Sequence, residues 1–147
     1  MILKVQFDNT YAALPEAFHS KLTAEKSVNP QLISFNQSLA DLLDIIVLDK
    51  AKLAQAFSGN ELIQGSEPLA QLYSGHQFGQ YNPQLGDGRA LLLGETVCKD
   101  GIRRDIQLKG SGRTPYSRGG DGRAWLGPIL REYLVSEAMY ALNIPTT

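Results

Sequence analysis

G-D-G-R-A-L-L-L-G-E-T-V at residues 86–97, R-R-D-I-Q-L-K at 103–109 and G-S-G-R-T-P-Y-S-R-G-G-D-G-R at 110–123 decide the fold. Leu91, Leu92 and Leu93 run on without a polar break, as in a strand covered on both faces. Asp100-Gly101 is a hairpin turn signal, and it predicts that the two runs pair as antiparallel strands. From Arg103 to Lys109 the side chains alternate. Ile106 and Leu108 point one way, Asp105, Gln107 and Lys109 the other. Lys109 thus closes a strand on the polar face, immediately before Gly110-Ser111-Gly112.

Glycine lets backbone N–H groups come close to an anion, and lysine or arginine supplies the countercharge. The 110–123 loop holds five glycines, three arginines and one proline, so it predicts a flexible cover for phosphates or a mobile surface loop. A Walker A string, G-x-x-x-x-G-K-[ST], does not occur. A Rossmann turn fails on spacing, because no helix follows the last glycine directly. The kinase loop G-x-G-x-x-G is also missing, and only Gly86-Asp87-Gly88 precedes the first strand.

Downstream, residues 128–142 predict a helix. Leu130, Tyr133, Leu134, Ala138, Ala141 and Leu142 form an apolar stripe, Pro128 sits in the first turn, and Asn143 and Pro145 end it. A strand lysine followed about 20 residues later by a helical glutamate is the arrangement by which protein kinases hold nucleotide phosphates. Here Lys109 is that lysine and Glu132 or Glu137 the glutamate; the same spacing also fits a solvated strand residue and a surface helix charge.

Upstream, residues 73–89 carry four glycines and one proline among Tyr73, Phe78 and Tyr81, which predicts a long, ordered loop. Residues 1–72 read as mostly helical. Phe7, Tyr11, Leu14 and Phe18 could share a helical face; Leu32, Ile33 and Phe35 read as a short strand. Asn36 or Ser38 can cap a helix through Leu39, Leu42, Leu43 and Ile46, and Asp49 a second ending at Gly59. Ser66 and Pro68 predict a third through Leu69, Leu72 and Tyr73.

Bulk composition narrows the function classes. The chain of 147 residues has a net charge of −1, which gives no general reason to bind nucleic acid or an anionic membrane. The charge is uneven: residues 1–88 have five Lys/Arg against nine Asp/Glu, whereas residues 89–131 have nine against four. A basic patch of that size suits a nucleotide better than a duplex. Cys98 is the sole cysteine, which excludes an internal disulfide and predicts a reducing compartment. Neither a signal peptide nor an apolar run of membrane-spanning length is visible, so a soluble, cytoplasmic protein is expected. His76 has no neighbouring ligand for zinc, and Asp87, Asp121 and Glu132 are too scattered for a metal cluster.

Y-S-G-H-Q-F-G-Q-Y-N-P-Q-L-G-D-G-R-A (73–90), I-Q-L-K-G-S-G-R-T-P-Y-S-R-G-G-D-G-R-A (106–124), L-R-E-Y-L-V-S-E-A-M (130–139) and F-D-N-T-Y-A-A-L-P-E-A-F (7–18) closely resemble the selenoprotein O family, called YdiU in bacteria. The resemblance covers nearly the whole chain. It implies an α+β fold like a protein-kinase N-lobe, a small antiparallel sheet plus the equivalent of helix C. Residues 73–147 would form this nucleotide-binding part and residues 1–72 a helical extension.

It further implies an adenylyltransferase that moves AMP from ATP, with Mg2+ or Mn2+, to Ser, Thr or Tyr hydroxyls of protein substrates. Gly86, Gly88 and Arg89 match the ATP-contacting G-D-G-R, Lys109 the strand lysine, Glu132 its helix C partner, and Asp121 and Gly122 nucleotide contacts in the second loop. Family members are much longer. Their catalytic aspartate, magnesium ligands, two further arginines and redox-active C-terminal residue are expected beyond Thr147, so an N-terminal part of the site, inactive alone, is expected here. Two other functions fit the residues: a kinase-like phosphotransferase, and an ATP-binding pseudokinase or scaffold without transfer. A nucleic-acid module using the basic patch is disfavoured, since no known motif accompanies it.

Overall fold

The computed structural model describes residues 2–147. Its centre is a four-stranded antiparallel sheet in the order β2-β4-β7-β8, with β2 at His19–Lys21, β4 at Leu69–Gln71, β7 at Ala90–Val97 and β8 at Arg103–Lys109. The two long strands are the expected pair, with Ala90 opposite Lys109 and Val97 opposite Arg103. The turn closes through Cys98 N–H to Ile102 O (3.0 Å) and Gly101 N–H to Cys98 O (2.8 Å), with Gly101 at φ +79°.

The leucine run is buried on both faces. Leu91, Leu93 and Leu108 join a core with Leu3, Val5, Ala40, Ile45, Leu53, Ala56 and Ile63. Leu92 lies opposite Leu69 of β4, and both are almost fully buried. Burying such a leucine contributes about 1.5–3 kcal/mol, and this is what a β7 without polar breaks achieves.

The helices on the core side are short. α1 (Gln37–Leu42) is capped as expected, Asn36 Oδ1 accepting Leu39 N–H at 2.8 Å. Asp49 Oδ1 accepts Ala51 N–H at 3.1 Å, opening a 3-10 turn that leads into α2 (Leu53–Phe57). Gly59 follows at φ +79° as the expected stop.

Several upstream expectations are corrected. Residues 1–72 are not a mainly helical appendage, because they supply β2 and β4 to the central sheet and β1 (Leu3–Lys4) and β3 (Ile46–Val47) to a two-stranded ribbon. Ser66 and Pro68 introduce β4 rather than a helix. Leu69 and Ala70 are fully buried between neighbouring strands, and that packing overrides the capping pattern. Tyr11–Ala13 and Glu16–Phe18 are two 3-10 turns broken at Pro15, and Phe18 is exposed. Residues 32–35 form no strand, and Ile46 belongs to β3 instead of α1.

The N-terminal segment is fastened to β7 at a bulge. Phe7 bridges Thr96, and Asp8 N–H donates to Glu95 O at 2.8 Å. A Cβ on Gly94 would stand 2.5 Å from the Phe7 ring, so only glycine permits this crossing. Glu95, though buried, is satisfied: its carboxylate accepts Thr10 Oγ1–H at 2.7 Å and Tyr11 N–H at 2.5 Å, with Arg103 3.7 Å away.

α3 (Leu126–Ala141) starts two residues earlier than the periodicity predicts. Asn143 at φ +57° ends it, with Ile144 N–H returning to Met139 O. Its apolar stripe is not a core face: Leu130, Tyr133, Leu134 and Leu142 are all exposed. The helix meets the rest of the chain along a narrow seam, through Ser34 Oγ to Tyr133 OH (3.0 Å) and Asn36 Nδ2 to Glu137 Oε1 (2.7 Å). Among the described residues no helix is long and apolar enough to cross a membrane.

Candidate functional site

The two glycine-rich stretches meet. Between them lies a cleft of about 490 Å³ lined by Gly86, Gly88, Arg89, Lys109, Asp121 and Gly122, together with Tyr73, Gln77, Asp87, Tyr116, Ser117 and Arg118. Six residues singled out from sequence therefore share one wall system. The seventh, Glu132, stands outside the cleft and reaches it through Lys109.

Lys109 is delivered by strand alternation onto the polar face of β8, and its Nζ pairs with the Glu132 carboxylate on α3. The hydrogen bond from Lys109 holds the Glu132 carboxyl below its ordinary range, with added pull from the charges of Lys109, Arg89 and Arg131. Spacing alone admitted Glu137 as the partner. That residue is engaged with Asn36 instead.

The glycines are there for close approach. Gly86 has φ +71°, and a Cβ on it would stand 2.7 Å from the Tyr116 ring. Gly122, at φ +69°, is tighter: a Cβ would stand 1.9 Å from the carbonyl O of Gly112.

The 110–123 loop is held by hydrogen bonds of its own. Gly110 N–H donates to Arg89 O at 2.7 Å, Ser111 bridges Arg123, and Gly112 N–H donates to Gly122 O at 3.2 Å. Asp121 Oδ1 accepts Arg123 N–H at 2.9 Å. Two of its three arginines are structural. Arg113 Nε donates to Gly120 O at 3.0 Å, and the Arg123 guanidinium reaches Lys26 O at 3.2 Å and Ser27 Oγ at 3.3 Å. Arg118, bonded to Gln77, lines the cleft, and so does Arg123 despite its backbone contacts.

Gln77 belongs to a hairpin within the expected 73–89 loop, β5 (Gly75–Gln77) and β6 (Gln80–Asn82), turned at Phe78 and Gly79. His76 stacks edge-on against Tyr81 across it, ring centroids 5.7 Å apart, and takes no part in the cleft.

The sequence marks Asp87 only as a carboxylate too scattered for a metal cluster, and it does not single out Tyr116 or Ser117. A carboxylate between two glycines and a Thr-Pro turn were their only signals. Asp87 is buried, and desolvation pushes its carboxyl up, while Gln71 N–H and the Tyr73 hydroxyl pull it back.

Chemically, the cleft offers backbone amides at glycines, the cations Arg89, Lys109, Arg118 and Arg123, and aromatic rings at Tyr73 and Tyr116. Those groups fit a nucleoside polyphosphate. Among the described residues no three His, Cys, Asp or Glu side chains converge.

A family model described as "Protein adenylyltransferase SelO" matches residues 1–147. The chain is similar to the protein named "Protein nucleotidyltransferase YdiU" of Ruegeria pomeroyi, 65% identical over 147 residues, covering all of this chain and 31% of that protein. The proteins of the same name from Agrobacterium fabrum and Roseobacter denitrificans are 61% identical over 145 residues and 60% over 147, covering 97% and 100% of this chain and 30% and 31% of theirs. The chain thus spans about a third of the length of these relatives. By full-length match and by identity, it belongs to the SelO protein adenylyltransferase family.

Proposed function

We propose that this chain forms the nucleotide-binding part of a protein adenylyltransferase that acts in a reducing compartment such as the cytoplasm. The observation that carries it is the Lys109–Glu132 pair at the edge of a cleft walled by the two glycine-rich stretches.

Gly86, Gly88 and Gly122 allow backbone to approach a triphosphate, Arg89 and Lys109 neutralise it, and Asp121 holds the second loop's turn. Glu132 fixes where the Lys109 ammonium points. A hydroxyl of a Ser, Thr or Tyr side chain on a protein substrate attacks the α-phosphorus of ATP. The bond from that phosphorus to the bridging oxygen breaks, and pyrophosphate leaves with the negative charge that these cations stabilise. A divalent cation, Mg2+ or Mn2+, accompanies the nucleotide and lowers its charge. Its protein ligands, and the group that takes the hydroxyl proton, belong to the longer protein that the relatives' length implies. A kinase N-lobe likeness, with β7, β8 and α3 as the nucleotide-facing elements, is supported by the strand lysine paired to a helical glutamate.

The test uses the longer protein carrying this chain, an acceptor protein, Mg2+, and ATP labelled on either the α- or the γ-phosphate. Retention of the α-label on protein is expected. Retention of the γ-label alone would replace adenylyl by phosphoryl transfer. Saturable ATP binding with neither label retained would leave a pseudokinase or scaffold.

A further inference from the structure

At the seam between the two glycine-rich stretches, three side chains have no role in the account above. Asp87 is only 7% exposed and is tied to β4 twice: its Oδ2 accepts Gln71 N–H at 3.0 Å, and its own N–H donates to Gln71 O at 2.9 Å. From the other side, Thr114 Oγ1 donates to Asp87 O at 2.6 Å and Ser117 Oγ donates to Gly88 O at 2.5 Å. Neither hydroxyl is left free to turn. Thr114 Oγ1 also accepts Tyr116 N–H at 3.1 Å, and Ser117 Oγ accepts Thr114 N–H at 2.9 Å.

The turn residues Asp87 and Gly88 are therefore gripped between β4 and the second loop. Tyr116, carried by the same T-P-Y-S turn, fills the space beside Gly86, and its hydroxyl lies 2.9 Å from Ser20 Oγ on β2. Burying a carboxylate in this wall costs desolvation, so its retention is best explained by the geometry that it enforces.

We propose that Thr114 and Ser117 are positioning residues that lock the two glycine-rich stretches into one preformed, phosphate-facing wall, which the Asp87 carboxylate ties to β4. The inference rests on the nucleotide assignment of the cleft. With the clamp cut, the ligand must order the two stretches as it binds, and that cost falls on affinity rather than on the chemical step. Each hydroxyl bond is worth a modest net amount, so removing one should weaken ATP binding by about three- to tenfold.

The test measures Kd and KM for ATP with Mg2+, kcat for transfer, and Tm in the longer protein. Thr114→Val and Ser117→Ala should raise Kd and KM by that factor and leave kcat within about twofold. Thr114→Ser and Asp87→Asn, which keep the hydroxyl donor and the acceptor for Gln71 N–H, should bind nearly as wild type. Should Thr114→Val fail to fold, Ser117→Ala with Thr114→Ser as its control carries the test. An unchanged Kd in both clamp variants overturns the proposal, whatever happens to Tm. Lys109→Ala is run in parallel. If it loses transfer while the clamp variants bind normally, only the clamp falls; if it also transfers normally, the nucleotide assignment itself falls.

Discussion

Lys109, the last residue of β8, and Glu132, on the second turn of α3, form an ion pair that ties the sheet to the helix at the edge of the cleft. Both side chains are about half exposed, at 45% and 50%, so the pair adds little to stability. Its consequence is where the ammonium points. Glu132→Gln should leave Tm nearly unchanged and lower kcat/KM for transfer by roughly tenfold to a hundredfold through misplacement of Lys109. Steady-state kinetics beside a thermal melt check it; a fall in Tm with unaltered kinetics would make the pair merely structural.

The same pair has a pH signature. The Glu132 carboxyl is held below its ordinary 4.5, chiefly by the Lys109 hydrogen bond. A carboxyl lowered in the folded state contributes stability that is present above the unfolded value and is lost as pH falls through the folded one. The pair should therefore outlast acidification past 4.5. In Lys109→Met the Glu132 titration, followed by carbon NMR of its carboxyl, should move up to the ordinary range.

Glycine at 122 is required by space as well as by φ. Gly122→Ala would drive a methyl to within 1.9 Å of backbone at Gly112, and backbone there cannot yield. Gly79→Ala shares the positive φ but meets nothing within 4 Å. Denaturant unfolding should show a loss of about 1–2 kcal/mol for Gly79→Ala and a clearly larger one for Gly122→Ala. Equal losses would remove the close approach from the account.

Glu95 anchors the N-terminal segment to β7. Glu95→Ala strips the partners from Thr10 Oγ1 and Tyr11 N–H and leaves Arg103 with Asp8 alone. The expected loss is about 2–3 kcal/mol by chemical denaturation. Amide exchange at Tyr11 should accelerate selectively.

How far the chain could be read from its sequence depended on how local the cause was. The β7–β8 pair was legible because Asp100-Gly101 fixes the turn and the leucine run fixes burial, both within a few residues. Lys109 followed from strand alternation, and caps at Asn36 and Asp49 from side-chain chemistry. β4 was misread as a helix because Ser66 and Pro68 imitate a cap, while the strand is imposed by β2 and β7, neighbours distant in sequence. Composition does not reveal that Arg113 and Arg123 donate to backbone of the 110–123 loop and of its neighbour. Spacing left Glu132 and Glu137 both open, the family resemblance pointed to Glu132, and the structure pairs Glu132 with Lys109 while Asn36 engages Glu137.

The most direct measurement is the intact mass of an acceptor protein after incubation with ATP, Mg2+ and the longer protein, either wild type or Lys109→Ala. An added adenylyl group on the acceptor is expected with the wild type and not with the variant, whose circular dichroism and melt stay unchanged. A phosphoryl adduct, or an adenylyl adduct undiminished by Lys109→Ala, would contradict that expectation.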